Sequence, residues 1–221
     1  MTVLDNPVWS ALAGPQADVA HAVGGAARYP RDVAPFGGLS SADAFGDLAR
    51  VVGSEGVVLV GVDEVPDDWE TRPGLRGVQL VGEDLEAAVD PETVPLGKAD
   101  VPEMLDLVRR TEPGPFLQRT VSLGNYLGIR RDGALIAMAG ERMRPTGWTE
   151  ISAVCTDPAY RGHGLATRLI RAVAVGIRER GDVPFLHAAE TNTGAIRLYE
   201  SIGFELRRHM MFQFARPRTV G

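Results

Sequence analysis

Apolar and polar positions alternate most clearly in the second half of the chain. Val101, Met104, Leu105 and Val108 recur at helical spacing. The step from Asp100 to Glu103 fits a capping box, in which the Asp100 carboxylate accepts orphan helix N–H groups and Glu103 reaches back. Residues 126–130 and 134–141 flank Asp132-Gly133, a pair suited to the positive φ angles of a tight turn, which predicts a β-hairpin. Residues 150–156 predict a third strand. Leu165, Leu169, Ala172, Val173 and Ile177 share one face of a helix running from near Gly164 to about Arg180. Residues 184–189 form the next strand. Ala195, Leu198, Tyr199 and Ile202 mark a short helix that stops at Gly203, and residues 204–214 read as a last strand. The order α, β-hairpin, β, α, β, α, β predicts an α/β layered domain with strand-to-helix crossovers.

From Trp9 to about Asp90 the pattern is mixed, with Gly and Pro at Gly14-Pro15, Gly24-Gly25, Pro35 and Gly37-Gly38, so this region reads as irregular and loop-rich. Within it, Ala42, Phe45, Leu48, Ala49 and Val52 predict a helix over 42–52 behind Ser40 or Ser41 as N-cap. Residues 57–60 read as a buried strand, 78–81 as another, and the acidic stretch 63–73 as a loop around Trp69. No chemical signature stands out here. The Pro- and acid-rich stretch 84–95 is the best linker, which divides the chain into residues 1–92 and 93–221.

Composition narrows the class. With 221 residues and 44% hydrophobic content the chain can bury a real core, and no apolar run reaches the roughly 18 residues of a membrane span. A formal net charge of −6 speaks against nucleic acid or an anionic membrane as partner, because both reward a basic surface, and leans toward a cationic one. The single cysteine, Cys155, excludes an intramolecular disulfide, and Cys/His groups at zinc spacing are absent. With no secretory signal pattern at the N-terminus, a reducing cytoplasm is the expected location.

The candidate chemistry lies after Thr156. A strand that passes through Asp157-Pro158-Ala159-Tyr160 and enters a helix by way of Arg161-Gly162-His163-Gly164 presents several free backbone N–H groups at one place, an anion site. Glycines without Cβ atoms would let a diphosphate approach the main chain, with Arg161 and the helix dipole favouring its charge. Leu165-Ala166 stand where a P-loop needs Lys and Ser or Thr. A dinucleotide loop would follow the first strand of its unit, whereas several strands precede this one.

At these residues the chain resembles the GNAT superfamily of acyl-CoA-dependent N-acetyltransferases, whose signature Arg/Gln-x-x-Gly-x-Gly/Ala is filled by Arg161, Gly164 and Ala166. Downstream, residues 192–204 match the family's Asn-x-x-Ala-x-x-Leu-Tyr-x-x-x-Gly-Phe pattern. The resemblance covers about residues 93–216. It implies a GNAT-like mixed central sheet flanked by helices, with residues 1–92 as an additional α/β region, either a degenerate copy of the same fold or a cap on the acceptor side. Such an addition could also form a homodimer interface.

The resemblance also implies acetyl-CoA as cosubstrate. Main-chain groups of Val154, Cys155 and Thr156 would pair with the pantetheine arm. Arg161, Gly162, His163, Gly164, Leu165, Ala166 and Thr167 would hold the pyrophosphate, and Asn192 would meet the pantetheine or thioester end. Tyr199 is the expected proton donor to the departing thiolate, and a backbone N–H near Val154 would polarise the carbonyl. Three residues are candidate bases: Glu141 and Glu150 on strands bordering the acceptor side, and His187, which stands near where the family's N-terminal-amine acetyltransferases are expected to carry a glutamate. Cys155 reads as a small buried strand residue, not a nucleophile. The expected reaction is direct transfer of an acetyl group to a primary amine of a small molecule, amino acid or peptide in a ternary complex. The alternative is a catalytically degenerate acyl-CoA sensor or scaffold.

Overall fold

The computed structural model describes residues 2–62 and 64–218. In chain order the elements are α1 (Pro7–Leu12), β1 (His21–Val23), β2 (Ala26–Arg28), β3 (Phe36–Leu39), α2 (Phe45–Val52), β4 (Val57–Val60), β5 (Trp69–Thr71), β6 (Leu75–Val81) and β7 (Thr93–Leu96). There follow α3 (Val101–Thr111), β8 (Tyr126–Arg131), β9 (Ala134–Glu141), β10 (Trp148–Thr156), α4 (Leu165–Glu179), β11 (Val183–Ala189), α5 (Thr193–Ser201) and β12 (Glu205–Pro217). The mixed α/β architecture expected from the sequence is the one observed, a central and mostly antiparallel sheet flanked by helices.

The strands run β1-β2-β3-β4-β12-β6-β11-β10-β9-β8-β7, with β5 added to the far end of β12. Two exchanges knit this sheet together. Strand β6, from ahead of residue 92, is inserted between β11 and β12, pairing Leu80 with both Leu186 and Leu206. Strand β12 in turn continues past β6 and pairs Phe212 with Val60 of β4. The sheet is therefore continuous across the position at which the sequence pattern divides.

Helix α4 covers one face because its apolar stripe, Leu165, Leu169, Val173 and Ile177, meets Ile136, Ile151 and Leu186. On the other face α3 packs Met104 and Leu107 against Met138 and Cys155, while α1 packs Val8 and Leu12 near Phe36 and Phe185. Strand β11 shows the alternation directly, sending Leu186 to the α4 side and Phe185 to the α1 side.

Several local expectations change. The region 9–90 holds the expected helix and strands at 42–52, 57–60 and 78–81 but also further short elements; Gly24-Gly25 makes the β1–β2 turn, with Gly24 at φ 53°, and Gly37-Gly38 lies in β3, where a Cβ on Gly38 would stand 2.4 Å from the Trp9 nitrogen of α1. The presumed loop 63–73 contains β5, and the presumed linker 84–95 contributes β7, an edge strand on β8. Arg168 ties this stretch down through Asp90 at 2.5 Å and Glu92 at 2.5 Å. The capping box at Asp100 is absent. Its carboxylate accepts from the Gly97 N–H (2.9 Å) and from Arg130 (2.8 Å), and Arg130 also holds Glu103 (2.6 Å).

Candidate active site

Strands β10 and β11 pair in parallel only from Trp148↔Val183 to Glu150↔Phe185. Beyond that, β10 remains bonded to β9 and β11 to β6, so their facing edges carry main-chain groups without a ladder partner. A register shift between Ser152 and Cys155 accompanies the separation, with Ala153 at φ 53°. A left-handed alanine costs about 1 to 2 kcal/mol, and such strain collects at functional sites. A cavity of about 980 Å³ fills the splay and is lined by both edges, including Val154, Cys155 and Thr156.

One end of the cavity is the loop ahead of α4. Gly162 and Gly164 adopt φ 82° and 72°, where side chains are strained, yet nothing in the protein lies within 4 Å of a Cβ built on either. The glycines are thus demanded by backbone conformation, and the space above them is open to a ligand. Among the described residues the N–H groups from Gly162 to Thr167 donate to no protein acceptor. The Arg161 guanidinium donates to the Thr156 carbonyl (3.3 Å) and forms no ion pair among those residues. Free N–H groups, a helix N-terminus and an unneutralised cation together favour a polyanion. His163 is turned back on its own loop, with Nδ1 3.0 Å from the Arg161 carbonyl oxygen. Leu165 is buried, and Ala166 and Thr167 line the cavity.

At the middle of the cavity, Asn192 caps α5 by accepting from the Ala195 N–H (3.2 Å). Two helical turns further, Tyr199 packs edge to face on Phe204 with centroids 6.0 Å apart and borders the same cavity. Burial pushes its phenol up to about 12, so the hydroxyl keeps its proton at neutral pH. Burial also pushes the Cys155 thiol up to about 11, which removes the thiolate that a nucleophile would need.

The three candidate bases are not equivalent. Glu141 is buried away from the cavity wall, its carboxylate lying against the Cα of Gly124 and 2.8 Å from Arg180. Glu150 is also off the wall and is gripped by Arg142 through two hydrogen bonds, 2.8 and 2.7 Å. Burial alone would raise the Glu150 carboxyl, but the Arg142 charge and hydrogen bonds, helped by His187, hold it down to about 2. Of the two glutamates expected at the border of the acceptor side, Glu150 is held in a buried ion pair, and Glu141 is buried off the wall with only the half-exposed Arg180 beside it.

His187 does line the cavity. Its Nδ1–H donates to Glu150 (2.7 Å), and its Nε2 lies 3.1 Å from the Gln79 amide nitrogen. The amide orientation follows from its other partners: Gln79 donates to the Leu4 carbonyl (3.0 Å) and accepts from Arg207 (2.8 Å). His187 therefore sits in a continuous polar chain from Arg207 to Arg142. Sequence reasoning missed Arg142 and Gln79. Arg142 was within reach, because it faces Glu150 across the β9–β10 connection, with its N–H on the Glu150 carbonyl (3.0 Å). Gln79 left no signal, since only the insertion of β6 brings it to β11.

A sheet split open between two parallel strands, with free helix N–H groups and a buried tyrosine bordering the same cavity, is the architecture of an acyltransferase cleft. The family model for FR47-like protein matches residues 126–213. A solved structure, a putative acetyltransferase from the GNAT family of Novosphingobium aromaticivorans, is 40% identical, with a TM-score of 0.91 over 99% of this chain and 100% of its own. The chain belongs to the GNAT family of acetyltransferases. It is also similar to the N-alpha-acetyltransferase RimI of Mycobacterium tuberculosis, 35% identical over 97 residues, which are 42% of this chain and 60% of that one. A mycothiol acetyltransferase of Thermobispora bispora is 46% identical over 56 residues, 25% of this chain and 19% of its own length. These matches span less than two thirds of either relative. Among the described residues, no helix is long and apolar enough to cross a membrane.

Proposed function

We propose that this protein transfers an acetyl group from acetyl-CoA to a primary amine of a small molecule, amino acid or peptide, within a ternary complex. The observation that carries the reading is the open edge of β10 leading from the free N–H groups at Gly162–Thr167 to the Tyr199 hydroxyl. The pyrophosphate would rest on the loop Arg161 to Thr167, and the pantetheine would add to residues 154–156 as an extra strand. Asn192 would meet the thioester end, where a main-chain N–H near Val154 would take the carbonyl oxygen. Tyr199, a neutral phenol, would donate a proton to the departing thiolate. His187 would receive the amine proton on Nε2 in exchange for its contact with Gln79, with Glu150 stabilising the resulting imidazolium. Residues 93–221 carry the cofactor site in this reading, while residues 1–92 cap the acceptor side. The free, buried Cys155 fits a reducing cytoplasm.

Calorimetric titration with acetyl-CoA, followed by measurement of free CoA on adding amines, tests this reading. Arg161→Ala should raise the Kd for acetyl-CoA about tenfold, the loss of a charge-assisted contact of roughly 1.5 kcal/mol. Unchanged affinity in that variant would remove the loop from the cofactor site.

A further inference from the structure

The cavity continues through the splayed strands to the face away from α4, and there its walls change character. Phe36 and Val58 come from β3 and β4, Leu75 from β6, and Phe212 and Phe214 from β12. All belong either to residues 1–92 or to the strand that exchanges with them. The aromatic rings are held in place. The Phe212 ring lies over Gly77, where a Cβ would stand 2.5 Å from it, and meets His187 edge to face at 5.5 Å. Phe214 is backed by the Arg72 guanidinium at 4.5 Å, and Phe36 by Arg142 at 4.7 Å.

The charges in this chamber exclude one class of acceptor. Among the described residues the only carboxylate on the whole cavity wall is Glu112, beyond the end of α3, and the one charged side chain on the acceptor side, Arg142, is a cation already matched by Glu150. A polyamine or aminosugar would bring several charges to a place with almost nothing to pair them, at the cost of their desolvation. The acidic balance of the whole chain thus does not extend to this surface.

We infer that the acceptor is a primary amine borne on an apolar, ring-sized group, held among Phe36, Val58, Leu75, Phe212 and Phe214 with its nitrogen turned toward His187. The inference rests on the acetyltransferase reading. An apolar body suits the wall, because contact with aromatic faces rewards area without requiring a charge partner.

CoA release by the full chain with acetyl-CoA is compared for phenethylamine, ethylamine and spermidine. Phenethylamine should show a kcat/KM at least about tenfold above both others, from the transfer of its ring out of water. Phe212→Ala should lower the ratio of kcat/KM for phenethylamine to that for ethylamine about tenfold. Val58→Trp, which fills the chamber instead of enlarging it, should act the same way and serves if the alanine variant does not fold; acetyl-CoA binding reports folding in each. Preference for spermidine, or variants that change both monoamines alike, would overturn the inference while leaving the acetyltransferase reading in place. Failure to bind acetyl-CoA, or binding without turnover of any amine, would overturn that reading and the inference with it.

Discussion

Glu150→Gln should lower stability by about 3 to 5 kcal/mol, because it leaves the Arg142 guanidinium buried without its counter-charge. For a domain of this length that corresponds to a fall of roughly 10 °C in Tm, measurable by calorimetry or circular dichroism. The cause lies in the pair's geometry: Arg142 and Glu150 are both buried, and a Gln amide can restore neither the charge nor both of the hydrogen bonds that Arg142 donates. The same pair sets an acid limit. The folded-state pKa is depressed from 4.5 to about 2, so its contribution is complete above about pH 4.5 and disappears as pH falls through 2. Acid titrations of stability should therefore show a steep loss in that window for the parent chain and a shallower one for Glu150→Gln. A variant as stable as the parent, with an unchanged acid profile, would show the pair to be energetically idle. The double change Arg142→Met with Glu150→Leu should recover part of the lost stability, since an apolar pair of similar volume avoids the desolvation penalty while the His187 Nδ1–H loses its acceptor.

Tyr199→Phe should reduce kcat by about 10² to 10³ while altering the Kd for acetyl-CoA less than twofold. The phenyl ring keeps its packing against Phe204, so the fold is preserved and only the proton is removed. Burial keeps the hydroxyl protonated, and a thiolate leaving at neutral pH needs that proton at the moment the bond breaks. Steady-state kinetics with a turned-over amine decide the matter. Retention of a third or more of kcat would assign the proton to solvent. A chain that binds acetyl-CoA but shows no turnover for the variant to lose would favour a sensor or scaffold role.

The parts of the molecule legible in the sequence are those whose structure is local. The hairpin around Asp132-Gly133, the stripe of α4 from Leu165 to Ile177 and the glycines at 162 and 164 depend on neighbours within a few residues, and they stand where their spacing puts them. The carboxylates show the opposite case. Glu141 and Glu150 sit on strands beside the cleft, but whether a strand carboxylate is free depends on the cation it meets, and Arg180 comes from the end of another helix. In the region 9–90 the helix at 42–52 and the strands at 57–60 and 78–81 were legible, whereas β1, β2, β3 and β5 were not, because strands of three or four residues are too short for alternation to emerge. The apolar end of the cavity combines Phe36 and Val58 with Phe212 and Phe214, residues that no periodicity links.

The insertion of β6 between β11 and β12 has a consequence for how the chain reaches its native state. Leu80 must wait for Leu186 and Leu206, segments synthesised more than a hundred residues later, before the centre of the sheet can close. Pairings of that sequence separation are slow, since a long loop must be closed before any contact rewards it. Until both segments are available β6 has neither of its sheet neighbours, and an unpaired strand of this kind is a template for aggregation. Refolding rate should accordingly fall more for substitutions that weaken the pairing of β6 with β11 and β12 than for equally destabilising changes in the β8–β9 hairpin, as stopped-flow kinetics would show.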